Sequence, residues 1–172
     1  MTRSGHLARR FFGSLRPGGP RAADDAWARD QLIPGEVELW VQMRNPDRRH
    51  AVGVARRVER ALGAEAERPV LAAALLHDVG KIVAGLRTYG RVVATLAAAI
   101  AGRATAADWS RSRGFTRKVG LYLQHAELGA DLLAMAGSDP LTVAWAREHH
   151  SPEEKWTVPA AVGAALKDAD DD

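Results

Sequence analysis

The sequence predicts an all-α fold, an irregular helical bundle. Apolar residues recur at helical spacing almost throughout from Asp24 onward. Pro and Gly fall where helices would start and stop, and no convincing run alternates with the period of a strand. Aromatic residues make up only 6% of the chain against 47% apolar overall, with alanine a large share, so the expected core is Leu, Val and Ala packed between helices.

Residues 1–23 read as a flexible basic arm. Arg3, Arg9, Arg10, Arg16 and Arg21 precede the first acid, Asp24, and Pro17-Gly18-Gly19-Pro20 breaks any helix. Such a stretch is most often a solvated tail, with contact to phosphate or nucleic acid as the sharper alternative. Residues 24–172 form the helical domain. Asp24–Leu32 and Glu36–Met43 are short helices separated by Pro34-Gly35. Asn45-Pro46 looks like a cap followed by Pro at the first helical position, opening a helix that runs to Leu62 and stops at Gly63. Pro69–Val79 follows and stops at Gly80. Leu86–Ala101, a weak Ala106–Ser112, Thr116–Gln124, Ala126–Met135, Pro140–His149 and Pro159–Asp170 complete the set.

A length of 172 residues suits one domain with a real core. The absence of cysteine removes disulfides, thiol catalysis and Cys-based zinc sites together. The longest apolar runs, Val70–Leu76 and Val92–Ala101, are too short to span a bilayer, and no signal peptide is visible. A cytoplasmic location is expected. The net charge of +3 and a pI near 9.7 are a mild basic excess, concentrated in the arm, and a nucleic-acid partner is not expected.

The chemistry lies in six histidines. His6 sits in the arm. His50 precedes Val54 and Val58 at helical intervals. His77-Asp78 ends Val70–Leu76, a helix apolar on every side and therefore buried. A carboxylate there costs several kcal/mol unless it is paired or metal-bound. His125 follows Leu121 by one turn, and His149-His150 ends a helix containing Val143, Ala144 and Ala146. Any one of these is most simply a hydrogen-bonded core histidine. Together, imidazole and carboxylate on separate buried helices form a ligand set suited to iron, manganese, zinc or nickel.

The order of these motifs resembles the HD superfamily of metal-dependent phosphohydrolases. Arg48-Arg49-His50-Ala51-Val52-Gly53-Val54 is similar to the family's first-ligand helix. Leu75-Leu76-His77-Asp78-Val79-Gly80-Lys81 resembles its core signature, Gly and Lys included. His125-Ala126-Glu127-Leu128-Gly129-Ala130 and Glu148-His149-His150 resemble the extra motifs of two-metal members. Ala169-Asp170 resembles the closing pair. The similarity covers about residues 45–172 and implies a helical bundle of the HD-domain type.

The resemblance implies a site in which His50, His77, Asp78 and the closing acid hold one divalent metal. His125 and the His149/His150 pair hold a second, and Asp78 bridges. Either or both of His149 and His150 bind, with His150 favoured because a small hydroxyl residue, Ser151, follows it. Asp170 is the first choice for the closing acid, since it follows Leu166 and Val162 on the larger apolar stripe; Asp168 is the second. Iron or manganese is favoured, with zinc, nickel or magnesium as alternatives. The symmetrical dinucleoside tetraphosphate hydrolases and the HD-GYP group share this layout, but Ser151-Pro152-Glu153-Glu154-Lys155-Trp156 carries no Gly-Tyr-Pro, which counts against cyclic di-GMP. The expected activity is hydrolysis of a phosphomonoester, phosphodiester or phosphoanhydride, with a small phosphate compound or nucleotide as substrate. Lys81 is the first candidate to neutralise phosphate charge, with Arg49 and Arg87 behind it. The rival function is a nucleotide sensor that keeps the site without turnover. Acids at Asp168–Asp172 oppose the dipole of the last helix, so its end should need a cation.

Overall fold

The computed structural model describes residues 18–86, 90, 94 and 106–171. Among them no strand occurs, and the helices are α1 (Ala22–Asp30), α2 (Pro34–Gln42), α3 (Asn45–Leu62), α4 (Arg68–Leu76), α5 (Lys81–Ala84), α6 (Ala106–Ser110), α7 (Gly114–Leu123), α8 (His125–Met135), α9 (Pro140–Glu148) and α10 (Ala160–Asp171). Two short 3-10 turns, Gly63–Glu65 and Glu153–Lys155, join them. No helix among the described residues is long and apolar enough to cross a membrane. Of the expected helix Leu86–Ala101, only Leu86, Gly90 and Ala94 are described, and Arg87 lies outside the described residues.

Several boundaries depart from the sequence reading for local reasons. The first helix opens at Ala22, within the stretch read as arm. Asn45 does not cap α3: its side-chain oxygen takes the Arg48 guanidinium at 2.6 Å, and the helix begins one residue earlier, flanked by Arg44. α2 is secured by Glu36, whose buried carboxylate accepts from the Ile33 amide at 3.0 Å. α9 has the strongest start, with Asp139 accepting from the Leu141 amide at 2.8 Å and Pro140 behind it.

The centre of the bundle is α4. Every residue from Val70 to Leu76 is buried, as its all-round apolar sequence requires. It packs between α3 and α9, while α10 lies on α3 and α8 lies on α9. Trp40, Val54, Val58, Leu75, Leu76, Leu133, Trp145 and Leu166 fill the core between them. At the outer edge, α1 is fastened by Asp25, which accepts from Trp40 Nε1 at 2.9 Å and pairs with Arg29 at 2.8 Å.

α4 ends at Leu76, three residues before the expected Val79, because the chain tightens. Val79 donates to Leu76 O at 2.9 Å and Lys81 to Asp78 O at 3.0 Å, both three-residue turns. This compact turn holds His77 and Asp78 and presses against the start of α8. Gly80 makes that approach possible: a Cβ on it would lie 2.0 Å from the His125 carbonyl oxygen and 2.6 Å from the Gly129 amide nitrogen. Gly80→Ala is therefore expected to push α8 away from the His-Asp turn and to destabilise the protein by about 1–3 kcal/mol, the usual cost of overpacking. Urea unfolding of the variant measures this; an unchanged midpoint and slope would mean that the two segments do not meet so closely.

Candidate metal centre

The histidines of the site are set by one local device used repeatedly. His77 follows the last residue of α4, His149 follows the last residue of α9, and His125 stands two residues past the end of α7. Each ring bonds back to the carbonyl three residues before it. His77 Nδ1 donates to Ala74 O at 2.9 Å, His125 Nδ1 to Tyr122 O at 2.7 Å, and His149 Nδ1 to Ala146 O at 2.9 Å. These carbonyls belong to last helical turns, where four oxygens per helix lack an amide partner. A carbonyl only accepts, so Nδ1 carries a proton, and each ring, when neutral, presents its lone pair at Nε2.

Those Nε2 atoms converge on Asp78. His125 Nε2 lies 3.2 Å and His149 Nε2 3.8 Å from Asp78 Oδ1. On the other oxygen, Oδ2, His77 Nε2 lies at 3.5 Å and the Lys81 ammonium makes a close ion pair. Asp170 closes the site from α10, with Oδ1 2.8 Å from His50 Nε2 and 3.6 Å from His77 Nε2. His150 Nε2 lies 3.2 Å from His125 Nε2. His77, His149, Asp78 and Asp170 are 2%, 2%, 5% and 9% exposed, whereas His50 is half-buried and His150 exposed. Two groups of donors could each hold a metal ion, their ligand atoms lying within 4.8 Å of one another: His50, His77 and Asp78, and His125, His149 and His150. Asp78 turns one oxygen toward each group.

The charges fit a cation at this point. Burial alone would raise the pKa of Asp78, but the Lys81 ammonium and then His77 hold it well below the usual carboxylate range. Burial opposes charge on Lys81 as well, yet Asp78, Tyr122 and Asp47 raise its pKa. His77 is buried too, but Asp78 and Asp170 outweigh that and lift it above the ordinary imidazole value. His149 behaves oppositely: burial, followed by His150 and His77, pushes it well below. Its Nε2 is therefore an unprotonated lone pair facing a carboxylate. Among the described residues, the buried Nε2 atoms of His77 and His149 meet no hydrogen-bond partner. A lone pair aimed at a carboxylate oxygen inside a protein is repulsive until a cation stands between them, so the donor set fits a divalent metal.

Of the residues singled out from the sequence, His50, His77, Asp78, His125, His149, His150 and Asp170 come together here, and Lys81 joins them through Asp78. Asp168 is exposed on the far side of α10, and Arg49 is half-buried on α3 next to His50. Two neighbours, Tyr122 and Arg57, and one contact of Glu148 were not singled out from the sequence. Tyr122 has its ring 5.7 Å from that of His125 and 5.9 Å from Lys81 Nζ. Glu148 accepts from the Thr157 amide and hydroxyl, both at 2.7 Å, which ties down the loop after His150. Arg57 reaches the Ala169 carbonyl from α3. Tyr122 and Arg57 were findable by spacing, three residues before His125 and seven after His50; the Glu148–Thr157 link was not.

A family model described as HD domain matches residues 48–171. No curated protein and no solved structure matches the chain.

Protons and a cation compete for the same Nε2 atoms. Because His77 is raised, it still holds its proton at the ordinary imidazole value of 6.5 and must release it to a metal; because His149 is lowered, it has none to release there. Mn2+ affinity should therefore go on climbing above pH 6.5, by up to about tenfold per pH unit for one displaced proton, and fall as the solution is acidified. Titration at a series of pH values checks this. A plateau already complete below pH 6.5 would show that no raised imidazole competes.

Proposed function

The chain belongs to the HD domain family, whose members are in general metal-dependent phosphohydrolases, and from that premise we propose that it hydrolyses a phosphate ester or anhydride, with a nucleotide as the favoured substrate class. The observation that carries this reading is the buried His149 Nε2, a lone pair that meets no hydrogen-bond partner among the described residues and lies beside an ionised carboxylate. Such an arrangement suits a cation and is costly without one.

His50, His77, Asp78 and Asp170 are the residues we assign to one metal, and His125, His149 and His150 to the other, with Asp78 offering an oxygen to each. Asp168, exposed, is set aside. Iron and manganese suit this imidazole and carboxylate set, and zinc, nickel or magnesium are the alternatives. When bound, divalent cations supply an activated water and neutralise charge on the phosphoryl oxygens.

The protein's own residues do the rest. Asp78 stays ionised and keeps two oxygens turned to opposite sides. The backbone carbonyls of Ala74, Tyr122 and Ala146 hold the rings in one tautomer and one orientation. His150 and His50 are the more exposed members of the set. Lys81 stays charged and stands at Asp78 Oδ2. With Asp78 engaged by a cation, the Lys81 ammonium would be available to a phosphate oxygen, with Arg49 on α3 and Arg87 as the further candidates.

A second reading is favoured by the same Lys81–Asp78 pair: a site whose lysine stays committed to the carboxylate binds a nucleotide without turning it over, as a sensor would. Turnover of bis-p-nitrophenyl phosphate, nucleotides and dinucleoside polyphosphates with Mn2+ or Fe2+ separates the two. Hydrolysis of any of them supports the enzyme, and binding without product supports the sensor. We expect close to two metals per chain. His77→Ala and Asp78→Ala should lower activity to background, with Asp78→Ala losing the most metal. Lys81→Ala should keep its metal and lose roughly a hundredfold or more in turnover. Metal analysis of the same variants is the check: loss of metal from Lys81→Ala would make that residue structural.

A further inference from the structure

Arg57 stands seven residues after His50 on α3 and reaches the last turn of α10. Its Nε and Nη2 both donate to the Ala169 carbonyl oxygen, at 2.9 and 2.7 Å. That carbonyl is one of the four at the end of a helix that intrahelical amides leave unmet. The next residue is Asp170, whose Oδ1 lies 2.8 Å from His50 Nε2. α3 therefore touches the end of α10 at two places: through His50 at the carboxylate, and through Arg57 at the peptide that carries it.

We infer that Arg57 is a positioning residue for Asp170, and that its grip on the Ala169 carbonyl fixes where the carboxylate stands relative to His50 and His77. The inference rests on the proposed role of Asp170 as a metal ligand. Holding the oxygen of the Ala169–Asp170 peptide restricts rotation of that peptide plane, and with it the direction in which the Asp170 side chain leaves the helix. A guanidinium suits this task because its fork is rigid and planar, so two donors on one acceptor constrain angle as well as distance. It also sets a permanent positive charge on a carbonyl at the negative end of α10. The acids there were expected to need a cation; Arg57 supplies one from the protein itself.

A clamp that only stabilised the bundle would weaken every function of the fold equally, so the test separates the two. Mn2+ binding to the full chain is titrated by electron paramagnetic resonance for the wild type, Arg57→Met, Arg57→Lys, Asp170→Asn and the double variant Arg57→Met/Asp170→Asn. Thermal unfolding of the metal-free proteins is measured alongside. Loss of a residue that orients a metal ligand typically costs about tenfold to a hundredfold in affinity, and that is the expected result for Arg57→Met. Arg57→Lys, with one donor and no plane, should recover only part. In the Asp170→Asn background Arg57→Met should cost nothing more, because the group it positions is already gone. Unchanged affinity in Arg57→Met overturns the inference, and so does an equal loss with and without Asp170→Asn. If Asp170→Asn alone leaves Mn2+ binding intact, the ligand assignment fails first and Arg57 has no ligand to position. If Arg57→Met does not fold, the same comparison is made with Arg57→Lys.

Discussion

The Asp78 carboxylate sits at the end of a helix that is apolar on every face, and it is almost wholly buried. An isolated ion in such a place is not tolerated, since its desolvation cost exceeds what the fold can spare. The architecture around it follows from that constraint. Lys81, three residues on, supplies a positive charge within the same turn. His77, His125 and His149 come from three different helix ends and aim their Nε2 atoms at its two oxygens. Gly80 lets the turn press against α8 closely enough for His125 to arrive.

Helix termini explain how so many polar groups are drawn into one place. The ends of α4, α7, α9 and α10 all lie at the site, and each carries unmet carbonyls and the negative end of a helix dipole. On α4, α7 and α9 an imidazole Nδ1–H meets one of those carbonyls; on α10 the Arg57 guanidinium does so. The same bonds that satisfy the helix ends turn the opposite ring nitrogens, Nε2, inward, each a lone pair wherever its ring is neutral. The Asp78 and Asp170 carboxylates and the inward ring nitrogens together make a donor set that could hold a metal ion, with Lys81 as the cation already paired to Asp78.

Much of this was legible in the sequence because it is local. The run Val70–Leu76 is apolar all round, so a charge immediately after it needed explanation. The stripe of Val162 and Leu166 pointed to Asp170 over Asp168, and the structure buries the first and exposes the second. What was not legible depends on contacts distant in sequence. Between His149 and His150, the sequence favoured His150 because Ser151 follows it, whereas it is His149 that the structure buries. α9 ends at Glu148, and the turn after it brings both rings to the same group, one buried and one exposed. Gly80 reads as a helix stop, and only the packed structure reveals that its missing side chain makes room for His125. Lys81 reads as a free cation for phosphate, whereas its first partner is Asp78.

The tautomer of the buried rings decides whether this is a metal centre, and nitrogen-15 spectra of the zinc-loaded protein report it directly. His77, His125 and His149 are each expected to keep a proton on Nδ1 while Nε2 takes the chemical shift of a metal-bound nitrogen. Rings that carry the proton on Nε2, or Nε2 resonances that do not move when zinc is added, would contradict this: the histidines would then be core hydrogen-bonding residues, and Asp78 would be held by Lys81 alone.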